Sequence, residues 1–139
     1  MTDGERTSAA DVASSSRSMI VYERSSTSVG EARSWLDTFL LERSIDDRVR
    51  DDALLVVSEL ITNALIHGEG SLVLRASLTA TDVQVSVTDS GDDLPRMLPI
   101  DPTRIGGLGL VVVDRTATDW GVAPFPGGKT VWAALALPD

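Results

Sequence analysis

The segment between Asp46 and Gly68 carries the strongest periodic pattern in the chain and predicts a long amphipathic helix. Asp46 or Asp47 supplies a capping carboxylate at its start, and Gly68 and Gly70 end it. Apolar side chains recur every three or four residues, at Val49, Ala53, Val56, Val57, Leu60, Ile61 and Ala64. Such a helix buries one face, so the 139-residue chain must supply a second layer around a single core.

Shorter patterns on both sides of this helix predict that second layer. Residues 1–18 are rich in small polar side chains and are expected to be a disordered tail, and residues 19–139 to form one domain. Ser28 is the expected N-cap of a first helix, with Glu31 as its capping partner. The predicted elements are a strand at 19–24, helices at 29–43 and 47–67, strands at 71–78 and 82–89, a helix at 108–119 and a hairpin of 119–125 with 129–137.

The order β-α-α-β-β-α-β-β predicts an α+β fold, a two-layer sandwich with the helices on one face of a mixed, mainly antiparallel sheet. Pro126, Gly127 and Gly128 form the turn of the last hairpin. A loop rich in Pro, Asp and Gly is expected over 90–107.

Charge and composition exclude several classes of function. The net charge of −9 opposes contact with nucleic acid, because a phosphate backbone repels such a surface unless basic residues cluster, and none do. The chain has 0 Cys, which excludes disulfides and thiolate metal sites. No apolar run is long enough to span a membrane, and the N-terminus lacks an apolar signal core. The expected location is the cytoplasm.

The central helix carries three groups that a buried helix does not need. Glu59 and Asn63 are neighbours at i, i+4 spacing on the shoulder of the apolar face. These two groups either are solvated, bond each other or line a cleft that holds a hydrated ligand. His67, near the helix end, is expected to interact with the last carbonyls and the helix dipole.

Two further polar motifs lie downstream. Asp89 and Gly91 follow a strand, where a carboxylate accepts a bond from an amino group and glycine admits a flat ligand, although the motif also fits an ordinary turn. The run GGLGL at 106–110 offers free N–H groups at a helix start. It does not match a dinucleotide-binding fingerprint, and GGKT at 127–130 lies in a hairpin rather than before a helix.

Taken together, SELITNALIHG, DSG, GGLGL and GGKTVWAAL resemble, in this order, the four motifs of the GHKL (histidine-kinase-like) ATPase and kinase superfamily. The helix at 29–43, followed almost at once by the helix with the first motif, is most similar to the bacterial anti-sigma factor serine/threonine kinases. The resemblance extends from Met19 to the C-terminus. It implies the Bergerat-type ATP-binding fold, with ATP and Mg²⁺ as cofactors.

The resemblance also implies residue roles. Glu59 matches the general base, and Asn63 matches both a nucleotide-binding and a Mg²⁺-binding residue. Asp89 matches the residue that reads adenine, Gly91 the glycine beside the base, and Thr130 the threonine at the same end of the nucleotide. The remaining nucleotide-binding matches are His67, Gly106, Gly107, Leu108, Gly109 and Leu110.

Some features depart from the family pattern. The segment between Gly91 and Gly106, a lid over ATP in this superfamily, is short and contains three prolines. Asp92 and Asp93 place negative charge near the polyphosphate. Arg96, Arg104 and Lys129 either offset that charge or, as is commoner for such residues, are solvated surface charges.

The resemblance further implies partners. These are a small anti-anti-sigma (STAS-type) protein, phosphorylated on serine, and a sigma factor that is sequestered, with a homodimer as a family expectation. Arg33 matches a position that contacts partners, although an arginine on a helix surface is usually solvated. The alternative is a nucleotide-gated binding module without catalysis. A histidine kinase is disfavoured, because no helix with a phospho-accepting histidine precedes the domain.

Overall fold

A computed structural model describes residues 15–21, 24–25, 27–91 and 109–139. In this part of the chain, five strands form one open sheet in the order β1-β2-β3-β5-β4, and every neighbouring pair is antiparallel. The strands are β1 (Ser16–Val21), β2 (Leu72–Leu78), β3 (Asp82–Asp89), β4 (Asp119–Phe125) and β5 (Gly128–Ala136).

Three helices accompany the sheet in the described ranges: α1 (Ser28–Glu42), α2 (Asp47–His67) and α3 (Gly109–Thr116). The order of elements is the predicted one, and the α+β fold class is confirmed. Helix α2 packs on β3 and β5 and also contacts α1 and α3, so it lies at the centre of the helical layer. None of these helices combines the length and the apolar character that crossing a bilayer requires.

The sheet buries one face because its central strands alternate apolar and polar residues. In β2 and β3 every second side chain is buried, which is the period of a half-buried strand. The buried positions of α2 that were predicted from its periodicity all lie in the core that covers this face. The side of the sheet that faces the helices is therefore fixed by the sequence pattern of β2, β3 and β5.

Two boundaries differ from the prediction. Strand β1 begins at Ser16, so residues 16–18 are not part of a disordered tail, and the rest of that predicted tail lies outside the described residues. The N-cap of α1 is Thr27 rather than Ser28. The Thr27 hydroxyl donates to Glu31 at 2.8 Å, whereas Ser28 accepts the N–H of Ser25 at 3.1 Å and packs inside the protein.

The end of α2 is held by an arginine that precedes α1. The guanidinium of Arg24 donates to the carbonyl oxygens of Ala64, Gly68 and Gly70, at 3.0 Å for each of the last two. Carbonyls in the last turn of a helix lack intrahelical partners, and a basic side chain satisfies them. Arg24 therefore fixes the course of the chain where it leaves α2.

We predict that Arg24→Ala lowers the free energy of unfolding by about 1 to 3 kcal/mol, because charged hydrogen bonds to several carbonyls are lost. Urea denaturation measures the change. Arg17→Ala is the matched control, since Arg17 is exposed and bonds only the adjacent carbonyl of Ser16 among the described residues. Equal stability of the two variants would contradict the role given to Arg24.

Candidate functional site

Helix α2 places Glu59 and Asn63 on one shoulder, one turn apart, at the edge of its buried face. Four residues correspond to a rise of about 6 Å along the axis, so the two side chains are neighbours. Asn63 is only 7% exposed, whereas Glu59 is half-buried. The predicted pair thus lies at the boundary between core and solvent.

The amide of Asn63 has no hydrogen-bond partner among the residues that the structure describes. Every fully buried side-chain polar atom in that part of the chain has a hydrogen-bond partner. Because the Asn63 amide has none, its polar atoms are not fully buried and keep some contact with solvent. Buried amides are normally hydrogen-bonded within the protein. An amide held at the core boundary without such a bond is suited to bind a ligand that enters from solvent.

Desolvation by burial raises the pKa of Glu59 above its ordinary value of 4.5. A carboxylate whose pKa lies closer to neutrality is a better proton acceptor at neutral pH. The Glu59 carboxylate is therefore more basic than that of an ordinary glutamate. The cause is the partial burial beside the apolar face of α2.

At the end of β3 Asp89 is 3% exposed, and the main chain of Gly68 and Gly91 packs beside its carboxylate. Its Oδ1 atom accepts the N–H of Gly91 at 2.7 Å, which is the ordinary turn that the motif also predicts. A Cβ atom on Gly68 would lie 2.6 Å from the Asp89 Cγ and 2.7 Å from its Oδ2. The end of α2 and the end of β3 therefore meet at this carboxylate, and only glycine fits between them.

The ammonium group of Lys129 forms a buried ion pair with this carboxylate. Lys129 is 1% exposed, and its Nζ atom lies 3.0 Å from Asp89 Oδ1 and 3.4 Å from the carbonyl oxygen of Gly91. The expectation of a solvated surface charge was therefore wrong for Lys129. The register of the sheet explains the burial, because Lys129 pairs with Asp89 and both side chains point to the helix-covered face.

Thr130 does not lie beside Asp89 in this structure. Successive strand residues point to opposite faces, so Thr130 points away from the helices. Its hydroxyl lies 2.7 Å from that of Thr88, its partner in the sheet register. The register thus puts Thr130 on the opposite face of the sheet from Asp89, whereas Lys129 lies on the Asp89 face, and a contact of Thr130 with a nucleotide stays a prediction. The alternation of apolar residues at 131, 133 and 135 is the sequence signal that could have identified the face of Lys129.

The other predicted site residues are placed only in part. His67 is exposed at the last turn of α2. Gly109 begins α3, and Leu110 is buried. The remaining predictions fall outside the described residues: Gly106, Gly107, Leu108, the lid prolines and the charges Asp92, Asp93, Arg96 and Arg104.

Arg33 lies on the exposed side of α1 but is held within the protein. Its Nη1 atom donates to the Leu54 carbonyl at 3.0 Å and to the Ser58 hydroxyl at 2.5 Å. Arg33, the residue matched to partner binding, therefore links α1 to α2. A contact with a partner stays a prediction.

A groove of about 950 Å³ lies between β1 and α1, away from these polar groups. It is lined by apolar parts of Met19, Trp35 and Phe39, among others. Neither Asn63 nor Asp89 borders it. The candidate polar groups, Glu59 and Asn63 on α2 and Asp89 at the end of β3, therefore lie outside this groove.

A model of the histidine kinase-like ATPase domain matches residues 23–135. The chain belongs to this family. The family resemblance read from the four motifs is thereby confirmed, and the match includes both α2 and the end of β3.

The fold of this histidine kinase-like ATPase domain has a counterpart among solved structures. The crystal structure of the RsbU and RsbW domains of Rv1364c from Mycobacterium tuberculosis matches with a TM-score of 0.65 and 20% sequence identity. The match covers 87% of this chain but only 32% of that chain, so it supports the fold alone. A search of the curated proteins found no match.

We predict that Gly68→Ala lowers the free energy of unfolding by about 1 to 3 kcal/mol, because its Cβ must displace the Asp89 carboxylate or the Ala64 carbonyl. The backbone at Gly68 has φ −100°, which alanine adopts freely, so the effect is steric. Urea denaturation of the purified variant measures it.

Gly30→Ala is the control, since a Cβ there meets nothing within 4 Å and alanine favours the helix by up to about 1 kcal/mol. If both substitutions stabilised the protein alike, the close approach of Gly68 to Asp89 would be refuted.

Proposed function

We propose that this protein binds ATP with Mg²⁺ and transfers the γ-phosphoryl group to a serine of a small anti-anti-sigma protein, and that it sequesters a sigma factor. The observation that carries the proposal is the pair of Glu59 and Asn63 on one shoulder of α2. Family membership supports ATP binding, and the resemblance of the four motifs to anti-sigma factor kinases supports the choice of substrate.

The residues present fit a magnesium nucleotide. Among the described residues no group of three or more histidine, cysteine or acidic side chains is placed to hold a metal by itself. Mg²⁺ keeps several waters and takes one or two protein oxygens together with phosphate oxygens. Asn63 would supply such an oxygen from its amide. When bound, the ion neutralises charge that develops on the phosphates.

Glu59 takes the proton in the proposed transfer. The serine oxygen of the partner forms a bond to the γ-phosphorus, the bond from that phosphorus to the β-γ bridging oxygen breaks, and ADP leaves. The hydroxyl proton passes to the Glu59 carboxylate. The raised pKa of Glu59 suits this role, since its carboxylate accepts a proton more readily than that of an ordinary glutamate.

Asp89 is the proposed acceptor for the amino group of adenine. Its carboxylate is buried at the end of β3, and glycines on two sides bring main chain rather than side chains against it. The site thus has a base end at Asp89 and a phosphate end at Asn63. The phosphate-facing glycines at 106–109, the contribution of His67, the partner contact of Arg33, a homodimer and a cytoplasmic location are further parts of the proposal.

The function is tested with purified protein, labelled ATP, Mg²⁺ and candidate anti-anti-sigma proteins. Label on a serine of one candidate is the expected result. Tight, nucleotide-dependent binding of a candidate without label would instead support the non-catalytic module. No affinity for ATP or ADP in calorimetry would refute both functions.

We predict that Glu59→Gln abolishes transfer but retains ATP binding and raises Tm by about 1 to 2 °C. Because burial raises the pKa of Glu59, the ionised group opposes folding at neutral pH, although solvent screens part of the effect. This stability difference disappears below pH 4.5, where the wild-type carboxyl is protonated in both folded and unfolded states.

Glu42→Gln is the control for this experiment, since Glu42 is exposed on α1. Thermal melts at pH 4 and pH 7 and a transfer assay are sufficient. Full transfer by Glu59→Gln would exclude this residue as the base.

We predict that Asn63→Ala removes the Mg²⁺-dependent part of ATP affinity, about tenfold, which corresponds to one hydrogen bond or ligand to a charged group. Calorimetry with Mg²⁺ and with a chelator measures this part. Gln84→Ala is the matched control, because Gln84 is an exposed amide of β3 on the other face of the sheet. A Mg²⁺ dependence that is unchanged in Asn63→Ala would exclude Asn63 as a ligand.

A further inference from the structure

The position opposite Asp89 in the sheet is occupied by a lysine whose role the family resemblance does not assign. The resemblance matched Thr130, which points to the other face. Lys129, the register partner of Asp89 in β5, instead lies on the Asp89 face. Its burial and its 3.0 Å ion pair make it part of the base end of the proposed nucleotide site.

The Asp89 carboxylate is already partly occupied in the free protein. Its Oδ1 atom accepts both the Gly91 N–H at 2.7 Å and the Lys129 ammonium at 3.0 Å. Its Oδ2 atom lies so close to the main chain of Gly68 that no Cβ fits there, and it accepts no hydrogen bond from the described residues. Oδ2 is therefore the carboxylate oxygen left to accept from the amino group of a ligand, which would approach beside the ammonium of Lys129 and not from the Gly68 side.

Lys129 has a donor to spare within the described part of the chain. An ammonium carries three N–H donors. Among the described residues two acceptors lie near the Lys129 Nζ atom, namely Asp89 Oδ1 at 3.0 Å and the Gly91 carbonyl oxygen at 3.4 Å. Because an unpaired donor on a buried charge is costly, an acceptor on the ligand is favoured beside it. The Asp89 carboxylate and the Lys129 ammonium therefore offer a ligand an acceptor and a donor next to each other.

We propose that Lys129 is a specificity-determining residue that donates to the ring nitrogen N1 of adenine while Asp89 accepts from the 6-amino group. Adenine presents this donor and acceptor next to each other on one edge. Hypoxanthine presents them in the reverse order, with an acceptor oxygen at position 6 and N–H at position 1. The pair therefore distinguishes adenine from 6-oxopurines. The inference rests on the proposed binding of adenine nucleotides.

The experiment compares Mg²⁺–ADP with Mg²⁺–1-deaza-ADP, in which a C–H group replaces N1 and the 6-amino group remains. In calorimetry on the full wild-type chain, we expect the analogue to bind about tenfold more weakly than ADP, because the hydrogen bond from the charged Lys129 donor is lost. In Lys129→Met the two nucleotides are expected to bind alike. Equal affinities in the wild type, or an undiminished ratio in Lys129→Met, would overturn the proposal.

Arg75→Met is the matched control, because Arg75 is exposed on the other face and the change also removes one positive charge. Its ratio of the two affinities should equal that of the wild type. Purine riboside diphosphate, which lacks the 6-amino group, should remain weaker than ADP in Lys129→Met, because Asp89 is still present. Loss of that difference as well would show a collapsed pocket and overturn the specific role of Lys129.

Removing one partner of a buried ion pair is destabilising, so folding of Lys129→Met is checked by thermal melting. If this variant does not fold, the comparison of the two nucleotides in the wild type decides the matter alone. A wild type that binds ADP but does not distinguish the analogue overturns only the role of Lys129. A wild type that binds neither nucleotide overturns the proposed function as well.

Discussion

The ion pair between Asp89 and Lys129 is buried on both sides, whereas the arginine–carboxylate pairs of the described residues each have an exposed carboxylate. Burying two charges removes their hydration, and the loss is offset only if both partners stay together with further hydrogen bonds. Here the Gly91 N–H and carbonyl supply those bonds. The pair joins the end of β3 to the start of β5, and the glycine after α2 rests against the same carboxylate. These contacts fix the end of helix α2 against the ends of β3 and β5.

Helix α2 combines a structural and a chemical role on adjacent faces. Its apolar face is core, which explains why Val56, Val57, Leu60 and Ile61 are fully buried. Its shoulder carries Glu59, where desolvation by burial raises the pKa and imposes a penalty on the ionised carboxylate. A glutamine of the same shape would avoid that penalty. Retaining the carboxylate is what a site that needs a proton acceptor requires.

The periodic segments were predictable from sequence because burial of one face sets their pattern. The buried residues of α2 follow from a period of 3.6, and the spans of β2 and β3 follow from a period of 2. The final hairpin follows from its turn glycines, of which Gly127 has φ +91°. Strand β1 is mostly exposed and lacks alternation, so its start was misplaced. The burial of Lys129 was not predicted, because the four motifs do not indicate which face of a strand a residue occupies, and a shift of one residue changes the face.

We propose that one site joins a base end at Asp89 and Lys129 to a phosphate end at Asn63. The decisive experiment is a crystal structure of the protein with ADP and Mg²⁺. We expect the adenine edge within hydrogen-bond distance of both the Asp89 carboxylate and the Lys129 ammonium, and the metal ion at the Asn63 amide oxygen. A nucleotide bound elsewhere, for example in the groove between β1 and α1, would rule out this site.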